Sequence, residues 1–415
     1  MALKLLVLAS NYPHAGHVFS GIFNERSVLA LSELCEDVTV LSPRPFVPPI
    51  ASSLVSRWNA YAMAARYEIR NGVPVYRPSY IQIPLIGPGF SHDYGAFLCC
   101  RRVAKEMQRR SEFNAILAFD VVGTGAMGWR LGRTLRVPAA TWITGHIPKG
   151  RSHSLTALRA VARSDIVFYQ SRECLEAVAS LIGKQTQLAP ARHVVLPRGI
   201  PEPPLMSRVK IREQIRNLLG VADRQTLVVS IGRITRAKGI LELIKACTLL
   251  RSSPDVDIAC VVVGSLPAFD ETRSFNREIE RNPLLRNRLR LLPACSPDKM
   301  WEYLCAADIF AFSSHQEGMP NSLLEAMAMG VPVVAFGIRP VLEIDAGTGS
   351  ISIVRPFDVS AFAMEISRLA GSFELRTELG QRGKAQVLER FMVRKNMADA
   401  VERINEVIES YSGRA

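Results

Sequence analysis

Short apolar runs alternate with helix-length amphipathic segments through both halves of the chain, and this alternation limits the possible folds more than any other feature. Apolar runs of this length predict strands buried on both faces, and the segments between them predict helices that cover the sheet. The predicted strands of the first half are residues 5–9, 38–41, 115–119, 139–143, 165–169 and 194–200. Those of the second half are residues 226–230, 257–263, 289–292, 309–312 and 331–335. The pattern predicts an α/β fold in which a helix-covered parallel sheet forms twice.

The length of 415 residues and a proline-rich segment divide the chain into two domains. At about 150 residues per domain, a single domain would not account for the chain. Residues 201–204 include three prolines, which fix φ and remove backbone donors, so they predict a stiff linker. We expect a first domain over residues 1–200, a second over residues 201–384 and a tail over residues 385–415. The tail is predicted to be helical, from residue 381 to residue 410.

The composition indicates a folded chain that lacks a membrane span and a disulfide framework. Hydrophobic residues make up 48% of it, yet no apolar run approaches the roughly 20 residues of a transmembrane helix. Residues 5–9 are followed at once by polar residues, which favours a buried first strand over a signal peptide. The eight cysteines include no Cys-x-x-Cys pair and no zinc-site spacing, so we expect a cytoplasmic protein.

Positive charge is concentrated in the first half of the chain. Residues 1–200 contain 23 Lys and Arg against 12 Asp and Glu, whereas the rest contains 28 against 26. This imbalance predicts an anionic partner on the N-terminal side, such as a membrane surface or a diphosphate-bearing acceptor. The densest cluster fits either a solvated helix face or a membrane contact, and it consists of Arg101, Arg102, Lys105, Arg109 and Arg110.

A segment of the second half places two carboxylates around a predicted helix start. Glu317 lies in a loop after the strand at 309–312, and the residues that follow, Pro320 to Ser322, favour a helix start. The free N–H groups and the dipole of that helix start suit a phosphate. Glu325 lies about one turn into the helix and leans back toward its start. The arrangement suits a ligand that carries both phosphate and hydroxyl groups, as a nucleotide sugar does.

The same segment, Glu-Gly-x-Pro-Asn-x-x-x-Glu-Ala-Met-Ala-x-Gly-x-Pro-Val-Val, resembles the Glu-x7-Glu motif of retaining GT-B glycosyltransferases, particularly glycosyltransferase family 4. The resemblance implies two Rossmann-like doubly wound domains that face a cleft. It also implies sugar transfer from a UDP-, GDP- or ADP-sugar, with retention of anomeric configuration. In the family pattern Glu317 would hold the donor sugar's hydroxyls and Glu325 the ribose. The backbone around Asn321, Ser322 and Leu323 would meet the diphosphate, and Gly318 would also belong to the donor-binding residues.

A second motif follows the strand at 226–230 and supplies two cations, Arg233 and Lys238. Fixed cations can stabilise a departing diphosphate as its bond to carbon breaks. The Gly-Arg…Lys-Gly pattern here is similar to the diphosphate-binding loop of the family. Asp255 and Asp257 match an Asp-x-Asp metal pattern, but their place just before an apolar strand favours a solvated turn. We therefore expect neither a metal nor another cofactor.

The first half carries weaker resemblances. The loop at residues 10–21 is similar to the family's first-strand loop, with separated Gly16 and Gly21 in place of a glycine pair, so either glycine could approach the diphosphate. His146 follows the strand at 139–143 and resembles a family histidine near the donor sugar and acceptor; a structural role is the alternative. Arg198 stands where the family's interdomain segment usually has Asn. The tail resembles a helix that crosses back to the first domain.

The resemblance implies a transferase that uses a nucleotide-sugar donor and a glycan or lipid-linked acceptor for envelope or secreted polysaccharide. Peripheral contact with an anionic membrane, at its inner face, fits the basic first half. A GT-B nucleotide-sugar epimerase is the alternative enzyme, and a protein that only binds anionic surfaces is the remote one. No nucleic-acid motif is present, so no nucleic-acid partner is expected. Residues 43–80 are rich in proline and are expected to be irregular.

Overall fold

The computed structural model describes residues 2–48, 56–81, 94–145, 151–182, 192–250, 257–265, 269–283, 285 and 288–412. The chain forms two compact units. The first comprises Met1–Gly199 together with Val393–Ala415, and the second comprises Ile200–Met392. Residues 385–392, which the sequence analysis assigned to the tail, thus lie in the second unit.

The first unit is built around a largely parallel sheet. Its described strands are β1 (Lys4–Ala9), β2 (Asp37–Leu41), β3 (Arg44–Pro45), β4 (Tyr67–Arg70), β5 (Val73–Tyr76), β6 (Ser79–Tyr80), β7 (Ala115–Phe119), β8 (Ala139–Ile143), β9 (Ile166–Tyr169) and β10 (His193–Val195). Its described helices before the second unit are α1 (Ile22–Leu34), α2 (Ser56–Ala62), α3 (Ala96–Ser111), α4 (Ala126–Leu135), α5 (Arg151–Arg163) and α6 (Arg172–Ile182). The short run of residues 121–125 between β7 and α4 forms a π-helical turn.

The main sheet of this unit has the order β10-β9-β8-β7-β1-β2-β5-β4, and only the β4–β5 pair is antiparallel. The central strands β1, β7 and β8 are almost completely buried because, apart from Lys4 at the start of β1, their residues are apolar or small enough to pack under helices. Strands β4 and β5 correct the prediction that residues 43–80 are irregular. They were missed because their proline and charged residues suit an edge hairpin rather than a buried run.

The second unit contains a sheet that is parallel throughout its described strands. These are β11 (Thr226–Ile231), β12 (Ile258–Val263), β13 (Leu289–Leu292), β14 (Ile309–Phe312), β15 (Val333–Phe336) and β16 (Ser352–Val354), in the order β13-β12-β11-β14-β15-β16. The described helices are α7 (Arg208–Leu219), α8 (Ile240–Leu249), α9 (Phe269–Arg281), α10 (Pro297–Ala306), α11 (Asn321–Ala328), α12 (Arg339–Asp345), α13 (Val359–Ala370) and α14 (Phe373–Arg390). Two buried apolar clusters, one on each face of the sheet, hold strands and helices together.

The last helix, α15 (Val393–Ser412), belongs to the first unit and packs against α1. The sequence predicted one helix over residues 381–410, which is wrong because the helix is interrupted after Arg390. At the interruption the carbonyl of Phe391 accepts a hydrogen bond of 2.8 Å from the amide of Ile200, and Met392 forms a β-bridge with Ile200. Phe391 is 2% exposed, so burial of its ring accompanies the break.

The strand predicted at residues 194–200 is also shorter than expected. Strand β10 ends at Val195, and its residues pair in parallel with β9. Pro197 follows and cannot donate to a sheet ladder, which ends the pairing. The chain then runs past Arg198 to Ile200 without joining the sheet.

Candidate active site

The carboxyl ends of β11 and β14 define a crevice in the second unit. These strands are neighbours in the sheet, yet the chain proceeds from β11 to β12 on one side and from β14 to β15 on the other. Ligands of open α/β sheets bind at such switch points. Gly239 lets the two loops meet, because it has φ +68° and a Cβ there would lie 1.7 Å from the Ser313 carbonyl oxygen.

The two loops are joined by an ion pair between predicted site residues. Lys238 Nζ contacts Glu317 Oε1, and the Ser314 hydroxyl donates to the same oxygen at 2.8 Å. The two charged side chains are only 22% and 12% exposed. A half-buried pair of this kind joins the two loops at the carboxyl edge of the sheet.

A second set of contacts supports the loop that carries Glu317. His315 Nε2 lies 3.2 Å from Glu242 Oε2 in the first turn of α8, and the His315 amide donates to the Ala237 carbonyl at 3.0 Å. The imidazole ring also packs on Phe357, with 4.5 Å between centroids. Phe357 is exposed and has φ +67°, a conformation rare for a large side chain. No role was predicted for these residues, which come from three loops and from the first turn of α8.

Helix α11 starts at Asn321, directly after Pro320, as the sequence predicted. Asn321, Ser322 and Gly318 are half-buried, whereas Leu323 is fully buried and Glu325 is 2% exposed. The buried Oδ1 of Asn321 receives no hydrogen bond from the residues that the structure describes. Buried polar atoms are normally paired, so this acceptor marks a place where a ligand donor would fit.

Arg233 follows β11 and is exposed at the same edge of the sheet. Its side chain forms no ion pair with the acidic residues that the structure describes. The structure therefore brings Lys238 and Glu317 into contact. Arg233 lies in the same loop as Lys238, after β11. Glu325 is buried in α11, the helix that follows β14. A joint role of the four in binding one donor stays a prediction.

In the first unit, the loop at residues 10–21 folds back on itself. His14 and His17 form a backbone bridge, and the fully buried Arg77 donates to the Pro13 carbonyl at 2.8 Å. Gly21 has φ +74° at the start of α1, and a Cβ there would lie 2.2 Å from the Asn11 carbonyl oxygen. A Cβ on Gly16 would lie 2.2 Å from the Ala60 carbonyl oxygen. Both glycines are thus required by packing, and the prediction that one meets the diphosphate remains open.

Polar residues also meet at the carboxyl ends of β7 and β8, and only part of this group was predicted from the sequence. His146, the predicted catalytic histidine, lies outside the described residues. Two residues before it, the Thr144 hydroxyl donates to Asp120 Oδ1. Asp120 was not singled out, although a carboxylate directly after a fully apolar strand is a readable signal. Burial raises the pKa of its carboxyl group, and the charge of Arg198 opposes that effect.

The Asp-x-Asp pattern falls at the other edge of its sheet. Asp255 lies outside the described residues, and Asp257 immediately precedes β12 at its amino end, where it contacts Arg288 at 3.2 Å. Within the described ranges, no group of three or more His, Cys, Asp or Glu side chains has the geometry to hold a metal. Each helix in the described part of the chain is too short or too polar to span a bilayer.

The chain is similar in sequence to known glycosyltransferases. Residues 211–386 match the family of glycosyl transferases group 1. Over 379 residues the chain is 29% identical to the putative teichuronic acid biosynthesis glycosyltransferase TuaC of Bacillus subtilis, covering 88% of this chain and 89% of that protein. It is 28% identical to the capsular polysaccharide biosynthesis glycosyltransferase CapM of Staphylococcus aureus, over 44% of this chain and 46% of that one.

Among solved structures, HepE of Anabaena in complex with UDP and glucose has the same fold, with a TM-score of 0.71 at 19% identity. The alignment covers 97% of this chain and 100% of that one. The predicted α/β fold of the GT-B type, with two Rossmann-like domains, is thereby confirmed.

Proposed function

We propose that the chain is a glycosyltransferase of the group 1 family and that it transfers a sugar from a nucleoside-diphosphate sugar to a hydroxyl group of a glycan acceptor. The observation that carries the proposal is the Lys238–Glu317 pair at the switch point of the second unit. It joins a cation that suits a diphosphate to a carboxylate that suits sugar hydroxyls. Many surface ion pairs are exposed, whereas this one is largely buried and joins two loops at the edge where ligands of such sheets bind.

In the proposed complex, the donor's diphosphate competes with Glu317 for Lys238. The diphosphate also binds Arg233, which is the second cation. Glu317, released from the pair, accepts hydrogen bonds from hydroxyls of the donor sugar. The start of α11 offers backbone N–H groups to the diphosphate, and Asn321 Oδ1 gains a donor. Glu325, one turn further along, accepts from the ribose hydroxyls.

The proposed transfer retains the anomeric configuration. The acceptor oxygen forms the new bond to the anomeric carbon on the face that the diphosphate leaves. The bond from that carbon to the phosphate oxygen breaks, its electron pair goes to the diphosphate, and the acceptor proton goes to the departing oxygen. Arg233 and Lys238 stabilise the charge that develops there. Since two cations meet this need, we propose that the reaction proceeds without a divalent metal, so EDTA should leave the rate unchanged.

The proposed acceptor is a growing glycan of an envelope or secreted polysaccharide, carried on a lipid. The name of the relative TuaC refers to teichuronic acid and that of CapM to a capsular polysaccharide, which supports this class of acceptor. A lipid carrier would bring the enzyme to the inner face of a membrane. We propose that the basic face of α3 makes that contact.

The test of the proposed function is a thermal-unfolding screen with UDP-, GDP- and ADP-sugars. A ligand at 100 times its dissociation constant stabilises the protein by about 2.7 kcal/mol, enough to raise the melting temperature by several degrees. We expect one nucleotide series to do so in the wild type and to lose most of its effect in an Arg233→Ala/Lys238→Ala variant. If no series shifts the wild-type transition, the proposal fails.

The donor alone then separates transfer from isomerisation. A transferase in the absence of acceptor releases nucleoside diphosphate slowly by hydrolysis and leaves the remaining donor unchanged. An epimerase would convert the donor to an isomer with no acceptor present. Chromatography of the nucleotide sugar after incubation distinguishes the two, and accumulation of an isomer would overturn the transferase proposal.

A further inference from the structure

The main sheet of the first unit has an open edge at β4. This strand stands last in the strand order, with β5 as its neighbour on one side and no described strand on the other. The side chains of Tyr67 and Ile69 in this strand are 48% and 66% exposed. A strand edge with exposed apolar side chains is a surface on which another strand can pair.

The hydrogen-bond pattern of the hairpin shows which backbone groups of β4 face the open edge. The Arg77 amide donates to the Arg66 carbonyl at 2.7 Å, so these two residues form a hydrogen-bonded pair. Hydrogen-bonded and non-hydrogen-bonded pairs alternate along an antiparallel ladder, so Tyr67 and Ile69 belong to the second kind. The residue opposite Ile69 is Pro74, which has no N–H to donate to β4. The amides and carbonyls of Tyr67 and Ile69 therefore point away from β5, toward the open edge.

Glu68 and Arg70 lie on the opposite face of the strand from Ile69. Each has a partner in the same chain, because Arg77 donates to Glu68 at 2.7 Å and Arg70 contacts Glu25. The side chains of Glu68 and Arg70 are nevertheless 29% and 28% exposed, so each can meet a further charge at the edge. The strand thus presents an acidic, an apolar and a basic residue in succession.

We propose that β4 pairs antiparallel with β4 of a second copy of this chain, so that the protein forms a two-fold symmetric dimer. With Ile69 on the two-fold axis, the amide of each Ile69 donates to the carbonyl of the other. The same register sets Glu68 of each copy opposite Arg70 of the other, and the two isoleucine side chains meet on the other face. This dimer is independent of the proposed transfer reaction.

The order of the residues makes the strand its own complement. Antiparallel strands run in opposite directions, so Glu68-Ile69-Arg70 meets Arg70-Ile69-Glu68. Opposite charges directly across a sheet stabilise the pairing, and like charges destabilise it. A register moved by one residue would set Ile69 opposite Glu68 or Arg70, whose amides already belong to hydrogen-bonded pairs with β5. A second copy of the chain therefore fits this edge better than a strand of unrelated sequence.

The first test replaces Ile69 with proline and measures association by sedimentation equilibrium of the full chain at several concentrations. Ile69→Pro removes the open amide without removing a hydrogen bond to β5, and proline is tolerated at such an edge position. Because the symmetry removes the bond twice, we expect the dimer dissociation constant to rise at least about ten-fold.

The second test places charges on the two-fold axis. Ile69→Lys alone and Ile69→Glu alone each set like charges opposite one another, so each variant should sediment as a monomer. An equal mixture of the two should dimerise again, because lysine then faces glutamate. Leu205→Lys is the matched control, since Leu205 is a fully exposed apolar residue of the second unit, and this variant should dimerise like the wild type.

Circular dichroism of every variant shows that a loss of association is not a loss of folding. Should Ile69→Pro disturb the hairpin, the lysine and glutamate variants still test the pairing. A wild-type chain that sediments as a monomer at every concentration would overturn the proposal. So would a dimer that persists in the Ile69 variants, or a mixture of the charged variants that stays monomeric.

Discussion

Lys238 and Glu317 show how one contact can serve both stability and ligand binding. In the structure each neutralises the other, and both are largely removed from water. Truncating one partner of such a pair leaves the other as an uncompensated charge, and the loss of stability then exceeds the value of the pair itself. The same residues are proposed to turn toward the donor once it binds. Substitutions therefore affect unfolding and ligand binding together, and the two effects need separate readouts.

Lys238→Ala should lower the melting temperature and also weaken nucleoside-diphosphate binding by about ten-fold or more, since a charged hydrogen bond is lost. Adding Glu317→Gln should recover much of the stability, because the uncompensated carboxylate is gone, but none of the affinity. Arg236→Ala is the control, as Arg236 is an exposed cation of the same turn that contacts Ser274 at 3.1 Å. Calorimetry and thermal unfolding of the four proteins measure both effects. Equal losses of affinity in Lys238→Ala and Arg236→Ala would contradict the assignment.

Gly239 and Gly347 allow the strain of a left-handed backbone to be separated from a steric clash. Both have positive φ, +68° and +77°, but a Cβ on Gly239 would lie 1.7 Å from the Ser313 carbonyl oxygen, whereas a Cβ on Gly347 has no atom within 4 Å. Gly347→Ala should cost about 1 to 2 kcal/mol of unfolding free energy. Gly239→Ala should cost about 1 to 3 kcal/mol more and impair donor binding as the loops separate. Urea unfolding gives both values, and similar costs for the two variants would show that the loops do not meet closely.

Helix α3 carries the basic cluster for which the sequence allowed either a solvated face or a membrane contact. Its apolar side is buried, and its other side exposes the cluster Arg101, Arg102, Lys105, Arg109 and Arg110. Glu106, paired with Arg110 at 2.7 Å, hardly offsets that charge. On the neighbouring α4, Trp129 is surrounded by the guanidinium groups of Arg130, Arg133 and Arg163 at 4.7 to 5.4 Å. Basic residues next to aromatic rings suit an anionic lipid surface.

Reversing three charges of this helix, in Arg101→Glu/Arg102→Glu/Lys105→Glu, should weaken binding to vesicles that contain anionic phosphatidylglycerol. At about 1 kcal/mol per basic residue, the loss is roughly a hundredfold. Wild-type binding should also fall with added salt and be negligible on neutral phosphatidylcholine vesicles. Vesicle co-sedimentation measures all three.

The control reverses three exposed charges of the second unit, in Lys210→Glu/Arg224→Glu/Arg277→Glu. Its net charge changes by the same amount, so a general electrostatic effect would appear in both variants. Equal loss of vesicle binding in the two would remove the special role of α3, and the cluster would then be an ordinary solvated face.

At the scale of the whole molecule, the C-terminal helix ties the end of the chain to its beginning. Side chains of α15, among them Met397, Ala400 and Ile404, are buried in the same apolar cluster as Val28 and Leu31 of α1. The apolar cluster of the first unit thus includes residues of its C-terminal helix. Its stability depends on contacts between segments more than 350 positions apart in sequence.

Ile404→Ala should therefore destabilise the first unit by about 2 to 5 kcal/mol, the usual cost of a cavity at a fully buried site. Glu402→Ala, an exposed position of the same helix, should be within about 0.5 kcal/mol of the wild type. Limited proteolysis with mass spectrometry would show which unit opens first. Early cleavage confined to residues 200–392 in Ile404→Ala would argue against the packing described.

The sequence by itself determined the central buried strands, the α/β pattern and the motif around Glu317, because these depend on residues close together in the chain. An apolar run such as residues 5–9 or 226–231 can be recognised as a buried strand without knowledge of its neighbours. The hairpin of β4 and β5 lacks that signal, because strands at the edge of a sheet are less buried and need fewer apolar residues. The interruption at Phe391 likewise depends on pairing with Ile200, which no local pattern reveals.

Only the tertiary structure decided which distant residues meet. Lys238 and Glu317 are 79 positions apart, and Asn24 and Arg198 are 174 apart. The first contact follows from strand order, which places the ends of β11 and β14 at a common edge, and the second joins α1 to the segment after β10. The order of the strands depends on packing contacts and crossover connections throughout a whole unit. The periodicity of a helix or a strand, in contrast, is set by residues close together in the chain.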